Sequence, residues 1–196
     1  MTLSSKEKIK KAALSLFAQK GYYGTSMNDI AVAVGLNKAT IYSHYLGKTE
    51  LFYAVYEDLA FDYEKLNERL FDESKEMKPE ERMRYIFEGY ILYYYRNKEI
   101  QSFWSQMILF TPPELRDKFR ADIIARDQHF QSKMEGIFAE AMEQGIIRRD
   151  LPIKMVVAFR SMREGLLTWM RVIPEIKEEM IHAFWNELWF GLQIRE

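Results

Sequence analysis

The sequence contains no cysteine, five prolines and three histidines. Without cysteine, disulfide bonds, zinc–thiolate sites, iron–sulfur clusters and thiol redox sensing are excluded. His44, His129 and His182 lie far apart and none has a partner at a ligand spacing, so we expect no metal site and no cofactor. Long apolar runs are also lacking, and residues 1–20 mix lysines with apolar residues, unlike a signal peptide. We therefore expect a soluble, cytoplasmic protein.

Signatures of catalysis are missing as well. The sequence has no glycine-rich phosphate loop, no nucleophile elbow and no cluster of metal ligands. Pairs of acids, or of histidine with an acid, occur only as expected in a charged helical protein. We therefore expect that the protein is not an enzyme.

Charge is distributed unevenly along the chain, although the net charge is only −1. Residues 1–50 contain seven lysines and three acidic residues, whereas the remainder contains 21 basic and 26 acidic residues. A basic N-terminal region on an acidic body suits binding of a nucleic acid by that region alone. Chance clustering of lysines on a solvated helix face explains the same numbers equally well.

Helix-forming residues dominate the whole chain, and each proline lies at a predicted helix boundary. The sequence therefore predicts an all-α fold. A first helix covers residues 5–20, with an apolar stripe on one face. A short helix lies between Ser26 and Gly35, and another runs from Lys38 to about Tyr45. The longer helices are predicted at residues 48–73, 79–97, 99–110, 113–144, 152–172 and 175–194.

The two short helices and the turn between them fit a helix-turn-helix. Gly35 can adopt the positive φ that such a turn requires, and Asn37 is a good N-cap for the second helix. The N-terminal end of that helix carries Lys38, Ala39 and Thr40, which are short or cationic side chains suited to a DNA groove. The motif therefore predicts DNA binding.

The same region resembles the DNA-binding signature of the TetR family of repressors. The resemblance covers residues 5–55 and rests on Thr25–Met27, Ile30–Ala31, Gly35–Tyr42, His44–Tyr45, Lys48 and Leu51. A weaker resemblance covers Gly145–Arg148, Asp150–Pro152 and Gly165. The resemblance to the family as a whole implies a helix-turn-helix DNA-binding domain at residues 1–47 and a helical effector-binding and dimerisation domain at residues 48–196.

The resemblance also implies roles for individual side chains. Lys38, Ala39 and Thr40 would face base edges in the major groove, with Ser43 and Asn28 as further candidates. Phosphates would be held by Ser26, Tyr42, His44 and Lys48. Hydroxyl and ammonium groups are good partners for phosphate oxygens. Tyr42 and His44 would also be explained by packing within the small domain.

The body contains an aromatic stretch that predicts a pocket for a small-molecule inducer of apolar or aromatic character, because ligand pockets are mostly apolar with a few polar groups. An ordinary helical core explains most of the same positions. Glu88, Glu99 and Glu164 would be able to balance a cationic ligand, but plain surface acids look the same. The candidate ligand-binding residues are Phe87, Tyr90, Tyr94, Phe103, Trp104, Met107, Phe159 and Trp169.

The last two predicted helices are apolar almost all round. Apolar surface in such excess usually marks an interface, and the family forms a twofold-symmetric four-helix bundle from these helices. We therefore predict a homodimer in which Phe184, Trp185, Leu188 and Trp189 line the interface, with intrachain packing as the alternative.

Together these features favour a dimeric repressor that an inducer releases from a near-palindromic DNA operator. A TetR-like structural DNA binder without an effector is the alternative.

Overall fold

The structure, a computed structural model, describes residues 3–193, and their secondary structure is almost entirely α-helical. The all-α prediction is confirmed. Within these residues no helix is both long enough and apolar enough to span a membrane. The helices are α1 (Ser5–Lys20), α2 (Met27–Val34), α3 (Lys38–His44), α4 (Lys48–Ser74), α5 (Pro79–Arg96), α6 (Lys98–Leu109), α7 (Pro113–Glu143), α8 (Pro152–Val172) and α9 (Ile181–Leu192).

The C-terminal helix begins later than the sequence predicts. The predicted start is residue 175, but a turn follows Pro174, and one 3-10 turn at Glu178–Met180 comes before α9. Lys177 is in an extended conformation, and no side chain caps the helix start at this point. A helix whose first N–H groups lack a side-chain acceptor begins less firmly, and a tighter turn often occurs there. The predicted end at residue 194 lies outside the described residues.

The chain divides into two compact units. The first unit comprises residues 3–63 and 97–120, and the second comprises residues 64–96 and 121–193. The N-terminal helices therefore share a unit with α6, which packs along α1. This division by contacts does not test the functional division at residues 1–47 and 48–196, which stays a prediction.

The core of the first unit contains a cluster of aromatic rings. Phe52 of α4 lies edge-on to Phe17 of α1, with 4.8 Å between ring centroids. The Phe52 ring also contacts Phe103 of α6 at 5.2 Å and Phe119 of α7 at 5.7 Å. Each such pair contributes about 0.5–1.5 kcal/mol beyond the burial of apolar area. The cluster fixes α1 and thereby supports α2, which packs on α1, and α3, which packs on α2.

The second unit has its own aromatic core. Phe87 of α5 lies 5.5 Å from Phe159 of α8 and 5.5 Å from Trp185 of α9, measured between ring centroids. Trp185 also stacks on Trp189 at 5.8 Å. These contacts hold α5, α8 and α9 together.

Candidate nucleic-acid interface and ligand site

The start of α2 is fixed by a reciprocal pair of hydrogen bonds. The Asp29 backbone N–H donates to the Ser26 hydroxyl oxygen at 3.1 Å, and the Ser26 N–H donates to the Asp29 carboxylate at 2.9 Å. The Ser26 hydroxyl also donates to that carboxylate at 2.6 Å. These hydrogen bonds lower the pKa of Asp29. Ser26 is therefore the N-cap of α2. Its side chain is exposed, and the phosphate contact stays a prediction.

The turn between α2 and α3 follows from two residues. Gly35 has φ 70° and ψ 31°, in the left-handed region that glycine adopts without strain. The Leu36 N–H then donates to the Ala31 carbonyl at 3.0 Å, which closes the end of α2. Asn37 caps α3 by accepting from the Thr40 N–H at 2.8 Å. The helix-turn-helix geometry predicted from Gly35 and Asn37 is present.

Most of the predicted DNA-contacting side chains on these helices are exposed. Tyr42 is 47% exposed, and Thr40 is half-buried because its hydroxyl also donates to Asn37 at 2.9 Å. By contrast, Ile41 and Tyr45 are buried on the opposite side of α3, and burial raises the pKa of Tyr45 to about 12. The exposed set is Asn28, Lys38, Ala39, Tyr42, Ser43 and His44.

Lys48 makes a contact that the sequence did not reveal. Its Nζ donates a hydrogen bond to the Tyr22 carbonyl at 2.8 Å and lies 4.2 Å from the centroid of the Tyr22 ring. Partial burial lowers the pKa of the Lys48 ammonium, and nearby Glu114 acts against that shift. The ammonium has three N–H donors, so this hydrogen bond leaves donors for the predicted phosphate contact. No local sequence pattern links residues 22 and 48, because their contact depends on how α1 packs on α4.

The family model described as "Bacterial regulatory proteins, tetR family" matches residues 9–55. This match covers α1, α2, the turn, α3 and the start of α4. Residues 9–55 are therefore similar to the N-terminal region of TetR-family regulators. A curated relative is the biofilm operon icaADBC HTH-type negative transcriptional regulator IcaR of Staphylococcus epidermidis, which is 45% identical over 47 residues. That match spans 24% of this chain and only 25% of the relative's length.

Solved TetR-family structures resemble the chain over nearly its whole length. The regulator PfmR from Thermus thermophilus is 27% identical, with a TM-score of 0.75 and coverage of 99% of this chain and 100% of PfmR. AibR, solved in complex with isovaleryl coenzyme A and operator DNA, is 26% identical, with a TM-score of 0.75 and coverage of 96% and 98%. The fold is therefore TetR-like, with an N-terminal helix-turn-helix and a helical C-terminal domain.

The predicted ligand-binding residues are distributed over both units of the chain. Phe103, Trp104 and Met107 belong to the first unit, where Trp104 Nε1 is buried without a hydrogen-bond partner among residues 3–193. The second unit contains the others. Trp169 is 56% exposed, whereas the other predicted ligand-binding residues of the second unit are buried. The buried residues are Phe87, Tyr90, Tyr94 and Phe159.

A groove of about 470 Å³ lies in the first unit between α1, α2 and the start of α6. None of the predicted ligand-binding residues lines it, and its rim carries Lys8, Lys11 and Glu99. The other two acids considered for a cationic ligand already have partners. Glu88 lies 2.8 Å from Nδ1 of His182, and Glu164 lies 3.5 Å from Nε of Arg163.

The residues predicted for the dimer interface are mostly buried within a single chain, and their role in a dimer stays a prediction. Trp185 is 1% exposed, and Leu188 and Trp189 are also buried within their own unit. Trp185 packs against Phe87 and Phe159, so these side chains belong to the core. Only Phe184, which is half-buried, retains some exposed surface. The sequence pattern could not separate core from surface here, because both faces of α9 are apolar.

Proposed function

We propose that this TetR-family protein is a dimeric repressor that binds a near-palindromic DNA operator through α3 and leaves it when a small molecule binds. The observation that carries the proposal is the exposed N-terminal end of α3. This helix is the second helix of the helix-turn-helix, and both helices of the motif have side-chain N-caps. IcaR, which is similar in this region, is a negative transcriptional regulator, and AibR was solved with operator DNA. The role is regulatory rather than catalytic and is exercised in the cytoplasm, where bacterial DNA lies.

In this proposal the exposed side chains of α3 divide between bases and phosphates. Lys38 donates to guanine O6 or N7, and Ala39 and Thr40 pack on thymine methyl groups. Ser43 and Asn28 are further base-facing candidates. The phosphate contacts come from Ser26, Tyr42, His44 and Lys48, whose hydroxyl, imidazole and ammonium groups position the protein without reading sequence.

The proposed dimer uses the exposed apolar surface of α8 and α9. Val157, Gly165, Trp169 and Val172 lie along one side of α8 at helical spacing, and none of them is buried. Phe190 of α9 is 60% exposed. Large exposed apolar side chains in one stretch indicate an interface rather than a solvated face. A twofold dimer would present two copies of α3 about 34 Å apart, one turn of the DNA helix.

The proposed effector is a small molecule. AibR was solved in complex with isovaleryl coenzyme A, which supports a ligand-responsive body for a similar fold. In this chain the buried aromatic residues of the second unit are the best candidates for its binding site. An effector that binds one conformation of the dimer more tightly would shift the population away from the DNA-binding form.

The proposal is tested by footprinting the purified full-length protein on the promoter beside its own gene. We expect a protected site with twofold symmetry at low salt, and weaker protection as salt rises, because phosphate contacts release counterions. Absence of any protected site at low salt would contradict the proposal. Protection that no compound relieves, together with many genomic sites, would instead favour a structural DNA binder.

A further inference from the structure

Two arginines of α8 share one aromatic neighbour in the second unit. Arg160 and Arg163 are three residues apart and therefore lie on the same side of the helix. Their guanidinium carbons lie 4.9 Å and 5.1 Å from the centroid of the Phe130 ring of α7. Arg163 also lies 3.3 Å from the centroid of the Tyr90 ring of α5. Two cations thus meet at Phe130, and one of them also contacts Tyr90, which the sequence predicts to bind a ligand.

The burial of these cations sets the electrostatic character of the region. Arg163 is only 2% exposed, and a cation removed from water needs compensation by neighbouring groups. The rings of Tyr90 and Phe130 provide cation–π attraction. Two carboxylates add to it, Asp127 beside Arg160 and Glu164 beside Arg163, and the Glu164 side chain is 54% exposed. Water therefore weakens the compensation that Glu164 can provide.

Arg160 presents one side of its guanidinium without a protein acceptor. Its Nη1 forms the ion pair with Asp127. Nε and Nη2 are buried, and neither has a hydrogen-bond partner among the residues that the structure describes. These two N–H groups point in the same direction and form a fork that fits the two oxygens of a carboxylate or phosphate.

Arg126, in the same unit, shows the contrasting arrangement. Its Nε donates to Asp122 at 2.8 Å, and its Nη1 donates to Glu64 at 2.9 Å. The Nε half of the corresponding fork of Arg126 is therefore occupied by Asp122. A buried donor without an acceptor destabilises the protein, so the open fork of Arg160 is unfavourable unless a ligand fills it.

We propose that Arg160 and Arg163 form a binding site for an organic oxyanion, in which the Nε and Nη2 groups of Arg160 hold a carboxylate or phosphate and the apolar part of the ligand packs on Tyr90 and Phe130. The proposal rests on the proposed effector function and deepens it. It changes the expected effector from a purely apolar or aromatic compound to an amphipathic anion. It also disfavours a cationic ligand, because the buried guanidinium of Arg163 and the half-buried one of Arg160 repel a cation.

The test is thermal unfolding of the purified full-length protein with matched pairs of probes at constant ionic strength. Octanoate is paired with octanamide, and octyl phosphate with octanol, so that each pair differs in charge and keeps its alkyl chain. We expect at least one anion to raise the Tm in a concentration-dependent way while its neutral partner does not. The carboxylate and phosphate arms then identify which oxyanion the site prefers.

Arginine variants connect this shift to the site. Arg160→Lys keeps a cation for Asp127 but removes the fork, and we expect the anion to bind about tenfold to a hundredfold more weakly. Arg160→Gln, which has fewer donors and no charge, should act similarly. Arg126→Lys is the matched control, and it should retain the affinity of the unmodified protein for the anion. Circular dichroism establishes that each variant is folded.

Two results would overturn the proposal: equal shifts from anions and their neutral partners, including no shift from either, or full anion affinity in both Arg160 variants. In those cases Arg160 has a structural role only. DNA binding by the same proteins is measured separately on the footprinted promoter. Intact DNA binding without an anion-specific shift refutes the ligand class alone, whereas failure of the unmodified protein to bind DNA refutes the proposed function.

Discussion

The sequence predicts functional side chains both on the helix-turn-helix and on the C-terminal helices α8 and α9. The two sets differ in how exposed they are in the structure. On α3 the chosen residues, such as Lys38 and Tyr42, are exposed. On α9 three of the four chosen residues, including Trp185, are buried in the core. The difference arises from the signals used. The apolar residues of the α3 region, Ile41 and Tyr45, lie on one side and fix which side faces inward, whereas α9 is apolar on both sides.

The largest expected effect separates the two regions by stability. Trp185→Ala should lower the free energy of unfolding by about 3–5 kcal/mol, because it removes a fully buried ring that contacts Phe87 and Phe159. Tyr42→Ala on α3 should change it by less than about 0.5 kcal/mol, since that ring is half exposed. Urea unfolding monitored by circular dichroism measures both. A small effect at Trp185 would return this residue to the interface.

The second prediction concerns the revised interface. Trp169→Ala should weaken dimerisation by about 2 kcal/mol or more, as truncation of a central interface tryptophan does. Gly165→Arg should act in the same direction. Apart from the adjoining backbone of α8, no atom of residues 3–193 lies within 4 Å of the position of a Cβ at Gly165, so one protomer has room for a side chain there. Sedimentation equilibrium measures the dimer constant.

Lys177→Ala, in the turn before α9, serves as the control for these variants and should leave the dimer constant unchanged. Wild-type dimerisation by the Trp169 and Gly165 variants would show that the exposed side of α8 is not the interface.

The third prediction tests the exposed side of α3. Lys38→Ala should weaken operator binding by about 1–3 kcal/mol, or roughly 5- to 150-fold, and should relax specificity at one base pair. The dimer and the fold should be unaffected. Lys75→Ala removes an exposed lysine from the loop after α4 and is the matched control. Gel-shift titrations at fixed salt measure both, and equal affinities would refute the role of Lys38.

The smallest expected effect concerns the cap of α2. Ser26→Ala removes the hydroxyl that accepts the Asp29 N–H, and it should destabilise the protein by about 1 kcal/mol. Ser26→Thr retains a hydroxyl acceptor and should recover most of that loss. Thermal unfolding compares the two variants. If Ser26→Ala loses more free energy of DNA binding than free energy of unfolding, Ser26 also contacts a phosphate. An unchanged free energy of unfolding would contradict its role as a cap.

The sequence predicted what depends on local chemistry. The helices around Ser26, Gly35 and Asn37 follow from caps and a turn residue, and both sides of α3 follow from its apolar spacing. The contact between Lys48 and Tyr22 was not predictable, because it depends on the packing of α1 against α4. The two arginines on α8 carried only a weak signal, since their spacing of three residues places both on one side of a helix. Their convergence on Phe130 required the positions of α5 and α7.

The most direct test of the central claim is selection of DNA ligands from a random duplex library, carried out in parallel with the unmodified protein and Lys38→Ala. Our account predicts that the unmodified protein enriches a near-palindrome whose half-sites are centred about one helical turn apart. It also predicts that Lys38→Ala loses preference at the same position in both half-sites. Enrichment of no sequence, or of an identical motif by both proteins, would contradict the claim that the exposed end of α3 reads DNA.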